Sequence, residues 1–173
     1  MNAIITRERP DTAGAIGLID ELQKHLEGFY PAESRHGYSV DKLIASGVAF
    51  FVLRSNGVPA ACGGILLVSD ANDADASYGE IKRMYVRPDH RGSGFAKLIL
   101  GHLADHARMN QISLLRLETG IFQTEAIALY EKLGFKRIPP FGPYTTDPLS
   151  LCYEKKIVSV QPPGPQPNPR LPE

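Results

Sequence analysis

The sequence predicts a single domain of the α/β class, and three observations carry that expectation. Apolar residues recur with a period of two in several short segments and with a period of 3.6 in others. Asn56-Gly57 lies between two apolar runs, where it supplies the positive φ angles of a tight hairpin. From Tyr78 to Ala107 a strand, a glycine-containing turn and an amphipathic helix follow one another. The 173 residues suit one hydrophobic core. That domain is expected to span residues 1–158, followed by a proline-rich, disordered tail over residues 159–173.

Ile4-Ile5-Thr6 reads as a short strand. Asp11 can cap a helix whose apolar positions Ile16, Ile19, Leu22, Leu26 and Phe29 keep helical spacing until Pro31 closes it. A short helix over Val40 to Ser46 ends at Gly47, before a strand from Val48 to Leu53 and its hairpin partner from Ala60 to Val68. Ser69 to Ser77 is polar and reads as a loose connection. Strand character returns from Tyr78 to Arg87. The next helix starts near Gly94, with Phe95, Leu98, Ile99, His102, Leu103 and Ala107 on one face. Ile112 to Leu117 is an apolar run typical of a buried strand. A further helix carries Ala126, Ile127, Tyr130 and Leu133 on one side and stops at Gly134, a left-handed cap. Phe135 to Ile138 and Leu149 to Ile157 are the last strands, separated by a proline-rich loop from Pro139 to Tyr144.

Composition excludes several classes of function. Lys and Arg number 19, as do Asp and Glu, so no whole-protein field draws the chain to nucleic acid or an anionic membrane. No stretch reaches the ~20 apolar residues of a membrane span, and the first residues lack the apolar run of a signal peptide, so a cytoplasmic protein is expected. Cys62 and Cys152 lie in apolar strands, where free thiols act as small buried hydrophobes. His102 and His106 stand four apart on a helix, but no third ligand accompanies them, and no metal is expected.

Chemistry concentrates in Arg91-Gly92-Ser93-Gly94-Phe95-Ala96, where a strand runs through a glycine turn into a helix. Such a turn lets backbone approach an anion, and the free amides of the helix start point at it. The same glycines could simply shape a turn. A P-loop is excluded because Phe95 stands where lysine is needed, and a dinucleotide fingerprint fails because Lys97 replaces its third glycine.

This hexapeptide resembles the Arg/Gln-x-x-Gly-x-Gly/Ala signature of the GCN5-related N-acetyltransferase (GNAT) family. Glu80-Ile81-Lys82-Arg83-Met84-Tyr85-Val86 resembles that family's central strand, and the segment from Ala126 to Phe135 resembles its second motif. The resemblance implies a mixed, mostly antiparallel sheet flanked by helices, with a splay between two parallel strands, here Tyr78 to Arg87 and Ile112 to Leu117. It implies acetyl-CoA as co-substrate, with its pyrophosphate on Arg91, Gly92, Ser93, Gly94, Phe95 and Ala96. Its pantetheine arm would lie along Met84, Tyr85 and Val86. Gln123 stands where the motif often carries an asparagine that contacts this arm.

The activity implied is transfer of acetyl to a primary amine, expected to be a small molecule, by direct attack. An alkyl amine is almost wholly protonated at neutral pH, so a base is needed. Glu80 is the first candidate, although a carboxylate there can also pair with Lys82 or Arg83, and Glu118 is the reserve. A backbone amide near Val86 can hold the oxyanion. Tyr130 resembles the family tyrosine that protonates the departing thiolate. Phe29, Tyr30 and Tyr144 are candidates for the acceptor pocket, and a homodimer is a further expectation. The competing expectation is a sensor or subunit that binds acetyl-CoA without transferring its acetyl group.

Overall fold

Alternation along one strand sets the plan of the molecule. In β2 (Ala49–Ser55), Phe51 and Leu53 join one hydrophobic cluster while Phe50 and Val52 join another on the opposite face, and all four are buried. A sheet buried on both faces needs helices on both. The computed structural model describes residues 2–69 and 77–158. The sheet has seven strands in the order β1-β2-β3-β4-β5-β7-β6, adding β1 (Ala3–Glu8), β3 (Val58–Val68), β4 (Tyr78–Val86), β5 (Leu114–Gly120), β6 (Lys136–Ile138) and β7 (Ser150–Lys156). Every neighbouring pair is antiparallel except β4 and β5.

Helices α1 (Ala13–Glu27) and α2 (Val40–Ala45) cover one face with Leu18, Ile19 and Leu43. Helix α3 (Phe95–Met109) covers the other with Phe95, Ile99 and Leu103, and α4 (Thr124–Lys132) adds Tyr130. Asn56 and Gly57 take φ angles of 50° and 84°, so the hairpin forms as its dipeptide requires. Gly134 has φ of 86° and Phe135 donates its amide to the Tyr130 carbonyl, closing α4 as expected.

Three boundaries differ from the sequence reading. Thr12 caps α1, its Oγ1 accepting from the Ala15 amide at 3.3 Å, while Asp11 pairs with Arg9 on the surface. Helix α1 ends at Glu27, so Phe29 lies beyond it and is 48% exposed. β5 begins two residues after Ile112, whose amide donates to the Ala107 carbonyl and so closes the turn leaving α3. Residues 70–76 of the loose connection expected from Ser69 to Ser77, and the tail over residues 159–173, lie outside the described residues.

Candidate active site

The site begins where β4 and β5 part. They pair only from Gly79 to Ile81 against Leu115 to Leu117. β5 continues alongside β7 as far as Gly120. β4 instead carries a bulge: between the Cys62–Tyr85 and Gly64–Lys82 pairs, Arg83 and Met84 oppose the single residue Gly63, and Arg83 takes φ of 51°. An extra residue reverses which face later side chains meet. Lys82 and Arg83 therefore both turn towards α1 and its following loop, Arg83 donating to the Tyr38 carbonyl at 2.8 Å. Met84 turns to the α3 side and Tyr85 to the α1 side. Past Ile81 the β5-facing edge of β4 is open to an extended ligand that pairs like a strand.

At the far end of β4 lies the glycine turn. Gly92 and Gly94 have φ of 78° and 80°, conformations that a side chain disfavours. Gly94 precedes α3 and no side chain caps the helix, so its first amides, at Phe95 and Ala96, are free to meet an anion. Arg91 flanks the turn and pairs with Glu125 of α4 at 3.2 Å, linking the turn to the start of that helix. Ser93 lies within it, its amide directed at the His90 carbonyl.

The splay opens into a cavity of about 130 Å³. Met84, Glu118, Gln123 and Tyr130 line it from the strands and α4, and Tyr30, His36, Lys82 and Tyr144 line it from the loops and β4. Tyr130 is 7% exposed, and burial pushes its phenol well above the ordinary range, so it keeps its proton at neutral pH. Its hydroxyl makes no hydrogen bond within the described residues. Gln123 precedes α4, and its Oε1 accepts from the His25 ring Nε2 at 3.3 Å. Tyr30 packs so closely over Gly120 that a Cβ there would lie 2.2 Å from the ring, and its hydroxyl accepts the Phe122 amide at 2.8 Å.

Three ionisable groups shape the interior. Glu80 is buried and does not line the cavity. Its carboxylate accepts from Lys82 Nζ and from the Tyr144 hydroxyl, each at 2.5 Å, while Lys82 Nζ also donates to the Tyr144 oxygen at 2.7 Å and sits over the Tyr38 ring. Burial, with the adjacent Glu80 charge, holds the Tyr144 phenol fully protonated. Glu118 lines the cavity, and desolvation raises its pKa although Ser150 donates to it at 2.7 Å. His36 lines it too, with Nε2 2.6 Å from Asp147 Oδ2.

Of the residues singled out in the sequence, Tyr130, Met84, Gln123, Tyr30 and Tyr144 meet at one cavity. Tyr85 contributes backbone to that edge but turns its ring into the α1-side core. Val86 follows at the open edge, and Phe29 stays outside the cavity, stacked near His25 and Tyr30. His36 and Asp147 carry no signal in the sequence, whereas Lys82 is the pairing partner that the sequence offers Glu80. His36 and Asp147 sit 111 positions apart in irregular segments, where no periodic pattern marks them. The two cysteines are free and buried as expected, and desolvation pushes the Cys62 thiol up to about 12.

Comparison with known proteins gives a consistent result. A family model described as Acetyltransferase (GNAT) family matches residues 19–135. The IAA acetyltransferase of Azospirillum brasilense is 42% identical over 156 residues, covering 90% of this chain and 99% of that protein. The uncharacterized N-acetyltransferase YedL of Escherichia coli (strain K12) is 32% identical over 144 residues, covering 77% of this chain and 87% of that one. Among solved structures, a Klebsiella pneumoniae protein provisionally described as an acyl-CoA N-acyltransferase superposes with a TM-score of 0.73 at 34% identity, covering 90% of this chain and 98% of that one. The PaiA N-acetyltransferase of Thermoplasma acidophilum, solved in complex with coenzyme A, shares the fold with a TM-score of 0.69 at 20% identity, covering 90% and 99%.

Proposed function

The chain belongs to the acetyltransferase (GNAT) family, and from that premise we propose how its residues divide the work of transfer. It is an acetyl-CoA-dependent N-acetyltransferase. The splay between β4 and β5 carries the reading, because it joins an anion-binding turn at one end to a cavity with a proton donor at the other. The pyrophosphate rests on the amides from Gly92 to Ala96, beside Arg91, and the pantetheine arm pairs with the open edge at Met84 and Val86. Gln123 offers its amide to the same arm. The thioester carbonyl then meets the backbone amide near Val86, which holds the developing oxyanion without moving.

Tyr130 gives its proton to the departing thiolate. A phenol that burial keeps protonated is suited to this task. The acceptor is a small primary amine that enters from the side of Tyr30, His36 and Tyr144, where a cavity of about 130 Å³ suits a compact substrate. Glu80 anchors Lys82 and Tyr144 in this reading, since both of these cavity-lining neighbours engage one of its carboxylate oxygens.

Thiol release from acetyl-CoA against a panel of small amines tests the reading, comparing the wild type with Tyr130→Phe and Glu80→Gln. Amine-dependent release that falls in Tyr130→Phe is the expected result. Loss of turnover in Glu80→Gln with acetyl-CoA affinity intact would return the base role to Glu80. Tight acetyl-CoA binding with no turnover on any amine would make the protein a sensor instead.

A further inference from the structure

An amine that has joined the thioester carbon becomes cationic and far more acidic, so a weak base close to it suffices to complete the reaction. Two ionisable side chains on the cavity wall could serve, Glu118 and His36, now that Glu80 is turned away. Glu118 sits beneath the splay, held by Ser150, in surroundings that disfavour its charge. His36 is differently placed. It comes from the loop after α1 and reaches the cavity from the acceptor side, with its side chain 19% exposed. Asp147 holds one ring nitrogen at 2.6 Å, and is itself fixed by Ser34 Oγ at 3.2 Å and the Leu149 amide at 2.9 Å. A carboxylate at Nε2 selects the tautomer with hydrogen on that nitrogen, leaving the Nδ1 lone pair available. No second hydrogen bond engages the ring among the described residues. The edge of the ring packs against Tyr144, with centroids 5.3 Å apart, which fixes its plane.

We propose that His36 takes the proton from the attacking nitrogen and that Asp147 is the residue that positions it. This rests on the transfer reading given above. As the C–N bond forms, the nitrogen's proton passes to Nδ1 of His36; as the C–S bond breaks, the thiolate receives the Tyr130 proton. The imidazolium and phenolate left behind are restored by one proton exchanged through solvent, so amine and thioester become amide and thiol. The imidazolium is stabilised by Asp147, and Glu118 across the cavity adds a favourable charge when ionised. Lys82 and the neighbouring Arg35 oppose it, although Glu80 and Glu27 respectively pair with them.

The test follows kcat/KM for thiol release from acetyl-CoA as pH is varied, in the wild type, His36→Gln, Asp147→Asn and Glu118→Gln. The acceptor is the amine giving the fastest release in the panel or, if no amine is used, water, whose attack requires the same proton to leave. In His36→Gln the rate at neutral pH falls about 100-fold and the acid limb of the profile disappears, while the acetyl-CoA dissociation constant stays within about 2-fold. Asp147→Asn keeps the limb but lowers kcat about 10-fold with the amine KM within about 2-fold, because the ring has lost the carboxylate that fixes its tautomer. Glu118→Gln retains the limb. Retention of the limb in His36→Gln, or its loss in Glu118→Gln, assigns proton removal elsewhere and overturns the proposal. Absence of thiol release from the wild type with amine and water alike overturns the transfer reading, and this assignment with it.

Discussion

A single tyrosine and a single carboxylate illustrate how burial sets chemistry at the residue scale. Tyr130 is largely desolvated and stays protonated, which suits it to the donor role proposed for it. Tyr130→Phe keeps the ring and removes only the hydroxyl, so kcat should fall at least about 100-fold with acetyl-CoA affinity unchanged, as measured by steady-state kinetics alongside calorimetric titration. Glu118 is also desolvated, and its folded-state pKa is raised. Its neutral form is thus favoured by folding, so its contribution to stability is full below the unfolded pKa and is lost as pH rises through the folded one. Glu118→Gln removes that loss. The variant's melting temperature should therefore gain on the wild type as pH rises from 4 to 8, and a gain independent of pH would contradict this account. The Glu80–Lys82 pair predicts the opposite kind of coupling: Lys82→Met leaves a buried, uncompensated carboxylate and should cost about 3–5 kcal/mol in urea unfolding, most of which Glu80→Gln restores in the double variant.

At the scale of elements, function follows from two departures from regularity. The glycine turn holds φ angles near 80° at Gly92 and Gly94, and this geometry aims the first amides of α3 outward. Nothing lies within 4 Å of a Cβ built at Gly94, so Gly94→Ala fails through its backbone and not through a clash. A left-handed alanine costs about 1–2 kcal/mol, and acetyl-CoA binding measured by titration should weaken roughly 10-fold. The bulge at Arg83 and Met84 is the second departure. Without it Lys82 and Arg83 would point to opposite faces, and the β5-facing edge of β4 would keep its ordinary register. Gly120 belongs to the same scale, because its missing side chain lets the Tyr30 ring close the cavity against β5.

Across the whole molecule, one sheet separates two cores, and the one parallel pair among the described residues, β4 and β5, opens the gap between its strands. Ile99 is fully buried on the α3 side, and Ile99→Ala should destabilise the protein by about 2–5 kcal/mol in denaturant titration. Because α3 also presents the amides proposed to hold the pyrophosphate, that variant should bind acetyl-CoA more weakly at temperatures approaching its melting point. The acceptor side is assembled from the loop after α1 and the loop before β7, joined by the Ser34–Asp147 and His36–Asp147 contacts. No helix among the described residues is long and apolar enough to cross a membrane.

By itself, the sequence determined the elements whose signals are local. The Asn56-Gly57 hairpin, the Gly134 cap, the glycine turn before α3 and the inward side of α4 with Tyr130 each depend on backbone preferences or periodicity within a few residues. The resemblance of those segments to one family then implied the splay and the cofactor. Helix α1 was legible as an element but not at its cap, since Asp11 and Thr12 are equally plausible caps until the first turn places its amides. Only the tertiary structure decided how charge is distributed in the site. Glu80 reads from the sequence either as a base or as a partner of Lys82 or Arg83; the fold selects Lys82 and adds Tyr144, 64 positions away. His36 and Asp147 are unremarkable loop residues until two loops meet. Contacts of that kind depend on how distant segments pack, and no local preference encodes which ionisable side chains will share a cavity once water has left it.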